Sequence, residues 1–261
     1  MKLYFAASHS TKDITTILKY TNRLLFTYFD FQNTDSNPYK YGNDLDIFMD
    51  SGAFSVWKSG ASINIDSYIE FLKRYQIKTA ASLDVVGDAQ GTLNNWDYMT
   101  SKGVITIPTY HVGEPFSFLD YYLKNADYIA LGGMVGKSQV ILEDFLNKCF
   151  SLIKSYFPVK IHGFGCFNFK LLMAYPFYSV DATTWNVGRK YGECNIMDSN
   201  FNLVRRSSSR KIVHHSDFKI DRDFVKFTTD GNYRTEVSIK AYCETEKLVT
   251  EIWSKRGIVW A

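Results

Sequence analysis

Eight short apolar segments that alternate with helix-length segments constrain the fold of this chain more than any other feature. Several are continuously apolar, as are strands of a parallel sheet that is buried on both faces. Eight strands alternating with helices between residues 1 and 190 favour an α/β fold, a (β/α)8 TIM barrel rather than an open doubly wound sheet. The predicted strands are residues 3–8, 24–29, 46–50, 79–86, 104–110, 128–133, 159–165 and 177–183.

Two connecting segments carry helix signals. Residues 138–158 offer Ser138 as an N-cap, and residues 66–75 place Ser67 and Glu70 at capping-box spacing. The predicted apolar faces are Ile141, Phe145, Cys149, Leu152 and Tyr156 in the first helix and Ile69, Leu72 and Tyr75 in the second.

The two ends of the predicted barrel are less regular. Residues 32–44, between the second and third strands, are polar and predict a loop, so the early connections are expected to be irregular. Residues 202–234 suggest short antiparallel strands, and a closing helix is expected from about residue 235 to 255. We therefore predict a catalytic barrel over residues 1–194 and a small α+β appendage over residues 195–261.

Composition indicates a folded protein of a reducing compartment. Hydrophobic residues make up 46% of the 261 residues and charged residues 22%. Four cysteines lie apart without metal-ligand spacing, so we expect neither a metal nor a cofactor. No apolar run is long enough for a membrane span or a signal peptide, which predicts a cytoplasmic protein that contacts no membrane.

Three predicted strands end on an aspartate, namely Asp50, Asp84 and Asp181. Singly, such an aspartate is typical of a helix cap or a turn. In a (β/α)8 barrel, however, the carboxyl ends of the strands meet around one cavity, so three carboxylates there indicate a site. The same rim is expected to carry His111 and glycines at positions 132, 133, 163 and 165.

Several carboxylates around an aromatic-lined pocket suit attack at an anomeric carbon. One carboxylate stabilises or traps the oxocarbenium-like centre, while another carries a proton to or from the leaving group. This pattern favours glycosyl transfer or hydrolysis and does not identify the sugar.

Four motifs then resemble, in order, those of the tRNA-guanine transglycosylases, which are (β/α)8 barrels. "DSGAFS" is similar to their "DSGGFQ", "ADYIALGGMVGKS" to "GGLAVGE", "KIHGFG" to "YLMGVG" and "YSVDATTWNVGRKYG" to "FDCVLPTRNARNG". The resemblance spans about residues 45 to 192. Family members also carry a structural zinc site, and the cysteines here do not supply one.

The resemblance implies a role for each matching residue. Asp181 matches the carboxylate that attacks C1′ of the target nucleotide, Asp50 the general acid/base, and Asp84 the aspartate that reads the guanine edge. His111 stands where the family has a base-contacting glutamine. Further substrate contacts are expected at Ser51, Gly52, Phe54, Gly132, Gly133, Met134, Gly163, Phe164 and Gly165, with Phe54, Met134 and Phe164 stacking on the purine.

Basic residues near the end of the barrel suggest phosphate contacts. The balance of 30 Lys and Arg against 27 Asp and Glu is too even to prove a nucleic-acid partner, but residues 205–211, "RRSSSRK", form a basic cluster, and Arg189 and Lys190 are placed like basic residues that follow the family's nucleophile. A short member without a zinc site resembles the branch that places 7-deazaguanine in the DNA of bacteria and phages. The expected nucleic-acid contacts are Arg189, Lys190, Arg205, Arg206, Arg210 and Lys211.

The leading prediction is therefore a DNA-guanine transglycosylase that takes a free 7-deazapurine base as co-substrate and can form a homodimer. Its compartment is the cytoplasm, the host's if a phage encodes the chain. The alternatives are a tRNA-guanine transglycosylase, a nucleoside or glycoside hydrolase with the same carboxylates, and a non-catalytic partner subunit.

Overall fold

Eight parallel strands form one curled sheet at the centre of the molecule, in the order β4-β3-β2-β1-β8-β7-β6-β5. The computed structural model describes residues 1–7, 10–186, 192–198, 200–201, 203–207 and 223–260. The strands of the sheet are β1 (Lys2–Ala6), β2 (Arg23–Thr27), β3 (Asp46–Asp50), β4 (Thr79–Ala80), β5 (Thr109–His111), β6 (Tyr128–Gly132), β7 (Lys160–Gly163) and β8 (Ser179–Ala182).

Helices flank this sheet, which confirms the predicted α/β class with strands and helices in alternation. A two-stranded antiparallel hairpin, β9 (Glu193–Met197) with β10 (Leu203–Ser207), follows β8. The described helices are α1 (Thr11–Ile17), α2 (Ala53–Ser59), α3 (Ile65–Arg74), α4 (Ala89–Ser101), α5 (Phe116–Asn125), α6 (Gln139–Ile153), α7 (Phe169–Ala174), α8 (Phe224–Thr229) and α9 (Gly231–Lys255).

The two outer strands of the sheet order, β4 and β5, are joined by one parallel bridge between Ala81 and Ile107. The amide of Ile107 donates to the Ala80 carbonyl (2.8 Å), and the amide of Ser82 donates to the Ile107 carbonyl (2.9 Å). We call this junction the seam. Both strands are much shorter than predicted, because the chain turns away from the ladder soon after Ala80 and enters it only near Ile107.

Separate apolar clusters fill the two faces of the sheet. The inner cluster joins side chains from β1, β2, β3, β6 and the seam, so the sheet curls far enough for these strands to share one interior. The larger outer cluster lies between the sheet and the helices. Because side chains alternate along a strand, the inward-facing Phe48 sets Asp50 on the same inner face. The inner cluster consists of Tyr4, Leu25, Phe48, Ala81, Ile107 and Ala130.

Two helix predictions needed correction. The capping-box reading at Ser67 is wrong, since α3 begins earlier and the side chain of Asn64 caps it by accepting from the Ser67 amide (2.9 Å). Ser138 does cap α6, as predicted, but Ile141 is exposed. The buried face of α6 is instead Phe145, Leu146, Cys149 and Ile153.

The carboxyl-terminal segment contains more helix than predicted. Residues 224–229, expected to be extended, form α8, and Asp230 caps α9 rather than opening a hairpin turn. Helix α9 packs against α1, α7 and β1, so it lies in the outer helical layer. The predicted boundary at residue 195 falls within β9.

Candidate active site

Six of the eight parallel strands carry predicted site residues at or just beyond their carboxyl ends, which share one edge of the sheet. We call this edge the mouth. Asp50 ends β3, Asp84 follows β4, His111 ends β5, Gly132 ends β6, Gly163 ends β7 and Asp181 is the third residue of β8.

The Asp50 carboxyl group is coupled to both other aspartates at the mouth. Burial, and after it the charges of Asp84 and Asp181, raise the pKa of Asp50 to about 7, although the amides of Gly52 and Ser51 donate to the carboxylate and oppose the rise. Ser51 itself is fully buried. A carboxyl group with a pKa near neutrality exists in both protonation states, which suits a general acid and base.

Asp84 belongs to a partly buried row of three ionisable groups. The Nε2 atom of His111 lies 3.4 Å from Asp84 Oδ2, and its Nδ1 atom lies 3.0 Å from Glu114 Oε1. Burial opposes the imidazolium, but the hydrogen bonds to Asp84 and Glu114 outweigh it and raise the pKa of His111 to about 10. His111 is therefore a cation at neutral pH. The buried Oδ1 atom of Asp84 has no hydrogen-bond partner among the described residues.

Asp181 is held by a backbone group and faces a buried histidine. The amide of Gly165 donates to Asp181 Oδ1 (2.6 Å), and His162 Nε2 lies 3.5 Å from the same oxygen. The Nδ1 atom of His162 lies 2.6 Å from Ser179 Oγ, which is also hydrogen-bonded to the Tyr128 hydroxyl. Asp181 is only 5% exposed, so its carboxylate is largely shielded from water.

At two of the predicted positions at the mouth, close contacts leave room only for glycine. A Cβ atom on Gly52, whose φ is +88°, would lie 2.5 Å from Phe29 Cβ and 2.6 Å from Thr27 Oγ1. A Cβ atom on Gly132 would lie 2.8 Å from the His111 ring. Glycine at these positions therefore allows Asp50 and His111 to take the positions described above.

The remaining glycines serve different needs. Close packing excludes a side chain at Gly163, because a Cβ atom there would lie 2.9 Å from the Phe177 ring and 3.0 Å from Cys166 Cβ. Gly165 has a φ of +60°, which favours glycine, and its amide donates to Asp181. Gly133, with a φ of +72°, follows the last residue of β6.

The three predicted stacking residues lie in different surroundings. Phe54 is 53% exposed and stacks on Trp57, which is 62% exposed, with ring centroids 6.0 Å apart. Phe164 contacts the inner cluster and lies edge-on to Phe48. Met134 is 3% exposed and packs in the outer cluster, so the structure does not bring it to an open surface.

Of the predicted phosphate contacts, the structure describes two. Arg205 and Arg206 lie on β10, and Arg205 is half-exposed and forms an ion pair with Glu193 (3.5 Å). The other four, Arg189, Lys190, Arg210 and Lys211, lie outside the described residues.

Sequence reasoning missed several groups that complete the site. Glu114 follows His111 at a spacing of three residues, and that "HVGE" spacing was the available signal. His162 lies within the "KIHGFG" motif, next to Gly163, and the motif alone does not indicate what its ring contacts. No sequence signal marked Ser179 or Tyr128, whose contact joins strands far apart in the chain.

Two surface cavities, of about 700 and 680 Å³, lie near the amino-terminal ends of the strands rather than at the mouth. The first is lined by residues that include Arg23 and Glu246, the second by residues that include Lys2 and Asp46. Among the described residues, no group of three or more His, Cys, Asp or Glu side chains is arranged to hold a metal ion.

The described helices are all too short or too polar to cross a membrane. In comparisons with known proteins, no family model matches the chain. None of the curated proteins matches it in sequence either.

Proposed function

We propose that this protein is a glycosyltransferase that exchanges guanine in DNA for a free 7-deazaguanine base through a covalent Asp181 intermediate. The observation that carries the proposal is the pairing of two unlike carboxyl groups at one mouth. Asp50 has a pKa near 7, whereas Asp181 is held through Oδ1 by the Gly165 amide. In a double displacement, Asp50 can carry the proton and Asp181 can act as the nucleophile.

The proposal includes a closed (β/α)8 barrel. The hydrogen bonds at the seam and the shared inner cluster support closure, because they connect the two outer strands of the sheet order. Active sites of such barrels lie at the carboxyl ends of the strands, where the three aspartates are found.

In the first step, an oxygen lone pair of Asp181 forms a bond to C1′ of the target nucleotide. The bond between C1′ and the base nitrogen breaks, its electron pair goes to the departing base, and protonated Asp50 supplies the proton. In the second step, Asp50 as carboxylate takes a proton from the incoming base, whose nitrogen bonds to C1′. The bond to Asp181 breaks and the carboxylate is restored.

Asp84 supplies the contacts that select the base, and His111 fixes its carboxylate. The unpartnered Oδ1 atom of Asp84 can accept from the N–H groups on the guanine edge, while the His111 cation directs its two N–H groups to Asp84 and Glu114. A 7-deazaguanine presents the same edge, so one set of contacts serves both bases. The Phe54 and Trp57 rings, four and seven residues beyond Asp50, offer a surface on which neighbouring bases stack.

Labelled-base incorporation tests the proposed function. Duplex DNA and tRNA are incubated separately with the protein and with labelled guanine or 7-deazaguanine. We expect incorporation into DNA, none with Asp181→Asn, and at least a hundredfold slower incorporation with Asp50→Asn, in line with a general acid or base. Asp46→Asn is the matched control, since Asp46 lies on the same strand as Asp50 but at its opposite end.

Each alternative predicts a different result. Incorporation into tRNA alone would make RNA the substrate, and release of free base without incorporation would identify a hydrolase. If neither activity is found and no denaturant-resistant complex forms between the protein and nucleic acid, the result would identify a non-catalytic partner subunit.

A further inference from the structure

His162 is a fully buried histidine whose orientation is fixed by aromatic rings. Its ring centroid lies 4.3 Å from that of Phe48 and 4.5 Å from that of Phe164. An imidazole without access to water is costly unless both nitrogens meet polar groups. The contacts of the two nitrogens therefore indicate what the residue does.

On the Nδ1 side, a chain of hydroxyl groups determines which nitrogen carries the proton. Ser179 Oγ lies between His162 Nδ1 and the Tyr128 hydroxyl, because the strand register places His162 next to Ser179 and Ala130. Burial raises the pKa of Tyr128, so the phenol keeps its proton and can donate to Ser179. Ser179 then donates to Nδ1, and the histidine proton resides on Nε2.

On the other side, Nε2 faces Asp181. The distance to Oδ1 is 3.5 Å, slightly too long for a full hydrogen bond, and Nε2 has no other partner among the described residues. The opposite tautomer would point a lone pair at a carboxylate inside the protein, which is unfavourable. Burial also lowers the pKa of His162, in keeping with a neutral ring.

Two N–H groups thus approach the same oxygen of Asp181. The Gly165 amide and His162 Nε2 both lie against Oδ1, while Oδ2 accepts no hydrogen bond from the described residues. A carboxylate binds such donors more strongly than an ester carbonyl does, because the anion carries more charge on oxygen. Donors on Oδ1 therefore favour the free carboxylate over the covalent ester.

We propose that His162 is a positioning residue that, with the Gly165 amide, holds Asp181 Oδ1, assigns Oδ2 as the reacting oxygen and favours release of the covalent intermediate. This inference rests on the proposed function. When the ester bond between Oδ2 and C1′ breaks, its electron pair returns to the carboxylate. The incoming base gives its electron pair to C1′ and its proton to Asp50.

Two amide substitutions separate positioning from packing. His162→Gln can place an N–H group near the Nε2 position, whereas the shorter side chain of His162→Asn reaches only the Nδ1 position. With His162→Asn we expect about a tenfold rise in the ratio of covalent complex to free protein and a similar fall in kcat, the effect of losing one N–H group that faces the carboxylate. The KM for the free base should change less than about twofold. His162→Gln should behave nearly as the unaltered protein.

A purely structural role predicts another pattern. Both variants would then lose stability to a similar extent without accumulating the complex, and that result would overturn the inference. Ser179→Ala provides a milder change, since it keeps the ring and removes only the donor to Nδ1; we expect the same direction with a smaller effect.

The tautomer can be read without any activity. Long-range ¹H–¹⁵N NMR of the unaltered protein should show His162 protonated on Nε2, and a proton on Nδ1 would overturn the inference. Absence of exchange and of covalent complex in the unaltered protein would instead overturn the proposed function. Exchange by the unaltered protein with no accumulation in His162→Asn would overturn the role of His162 alone.

Discussion

Asp50 and Asp181 differ in what surrounds their carboxyl groups. Asp50 lies where burial and two nearby negative charges raise its pKa, whereas Asp181 lies against N–H groups. The sequence predicts both positions, because each ends or nearly ends a strand. It does not predict their surroundings, since these depend on residues brought close by the curl of the sheet.

The raised pKa of Asp50 makes stability depend on pH. Between pH 4 and 7 the unfolded chain loses the Asp50 proton while the folded chain keeps it, so the free energy of unfolding falls as pH rises and then levels off. The Asn side chain of Asp50→Asn does not titrate, so the variant lacks this fall in unfolding free energy. We expect the variant to be more stable than the unaltered protein by roughly 2–4 kcal/mol at pH 8 and about equally stable at pH 4.

Urea denaturation of both proteins at the two pH values measures this difference. Contributions from titrating groups that do not interact with Asp50 cancel when the two proteins are compared. An identical change in unfolding free energy at pH 4 and pH 8 would contradict the assigned pKa.

The hydrogen-bond partners of the site residues show why the sequence does not predict the whole site. Tyr128 and Ser179 are 51 positions apart, and their hydroxyl groups meet only because β7 lies between β6 and β8 in register. Glu114 is nearer to His111 in the chain, yet a turn after β5 is needed to bring its carboxylate to the ring.

At the scale of single elements, the length of an apolar run does not by itself give the length of the strand. Strand β3 has the predicted bounds, whereas β4 keeps only two of its eight predicted residues. The chain around Leu83 and Asp84 remains apolar but leaves the ladder to form the mouth. An apolar run therefore indicates burial and does not determine hydrogen bonding to a neighbouring strand.

The turn between β3 and α2 offers a test at this scale. Gly52→Ala introduces a Cβ atom 2.5 Å from Phe29 Cβ at a φ of +88°. We expect a loss of about 3 kcal/mol or more in unfolding free energy, from backbone strain together with overpacking. Gly60→Ala is the matched control, because its φ is +69° but nothing lies within 4 Å, and about 1 kcal/mol is expected.

Chemical denaturation of the two variants gives the comparison. Equal losses would mean that the contact with Phe29 does not constrain the turn. Separately, incorporation assays on Gly52→Ala report whether the position of Asp50 depends on this glycine.

For the whole molecule, α9 connects the end of the chain to its beginning. Glu246 accepts a hydrogen bond from the Leu3 amide (3.2 Å) and forms an ion pair with Arg23, and the amino group of Met1 donates to Thr250 (3.0 Å). The sequence predicts this helix from its apolar face. It does not predict that the helix packs on β1, because nothing in the pattern identifies its partner.

Glu246→Ala tests how much this connection stabilises the fold. Removing the carboxylate leaves the Leu3 amide without its acceptor and takes the ion-pair partner from the partly buried Arg23, so we expect a loss of about 2 kcal/mol in unfolding free energy. Glu251→Ala on the same helix is the control. Its partner Lys255 is exposed, so no measurable change is expected in the same urea titration.

The seam has a further consequence for how the mouth can open. Strands β2 and β3 share five register pairs, whereas β4 and β5 are joined by one, so local opening costs least at the seam. Directly beyond it, the contact between Asp84 and His111 spans the same gap. In the proposed function, a base that binds the Asp84 carboxylate competes with this contact, so its binding is coupled to the width of the mouth at the seam.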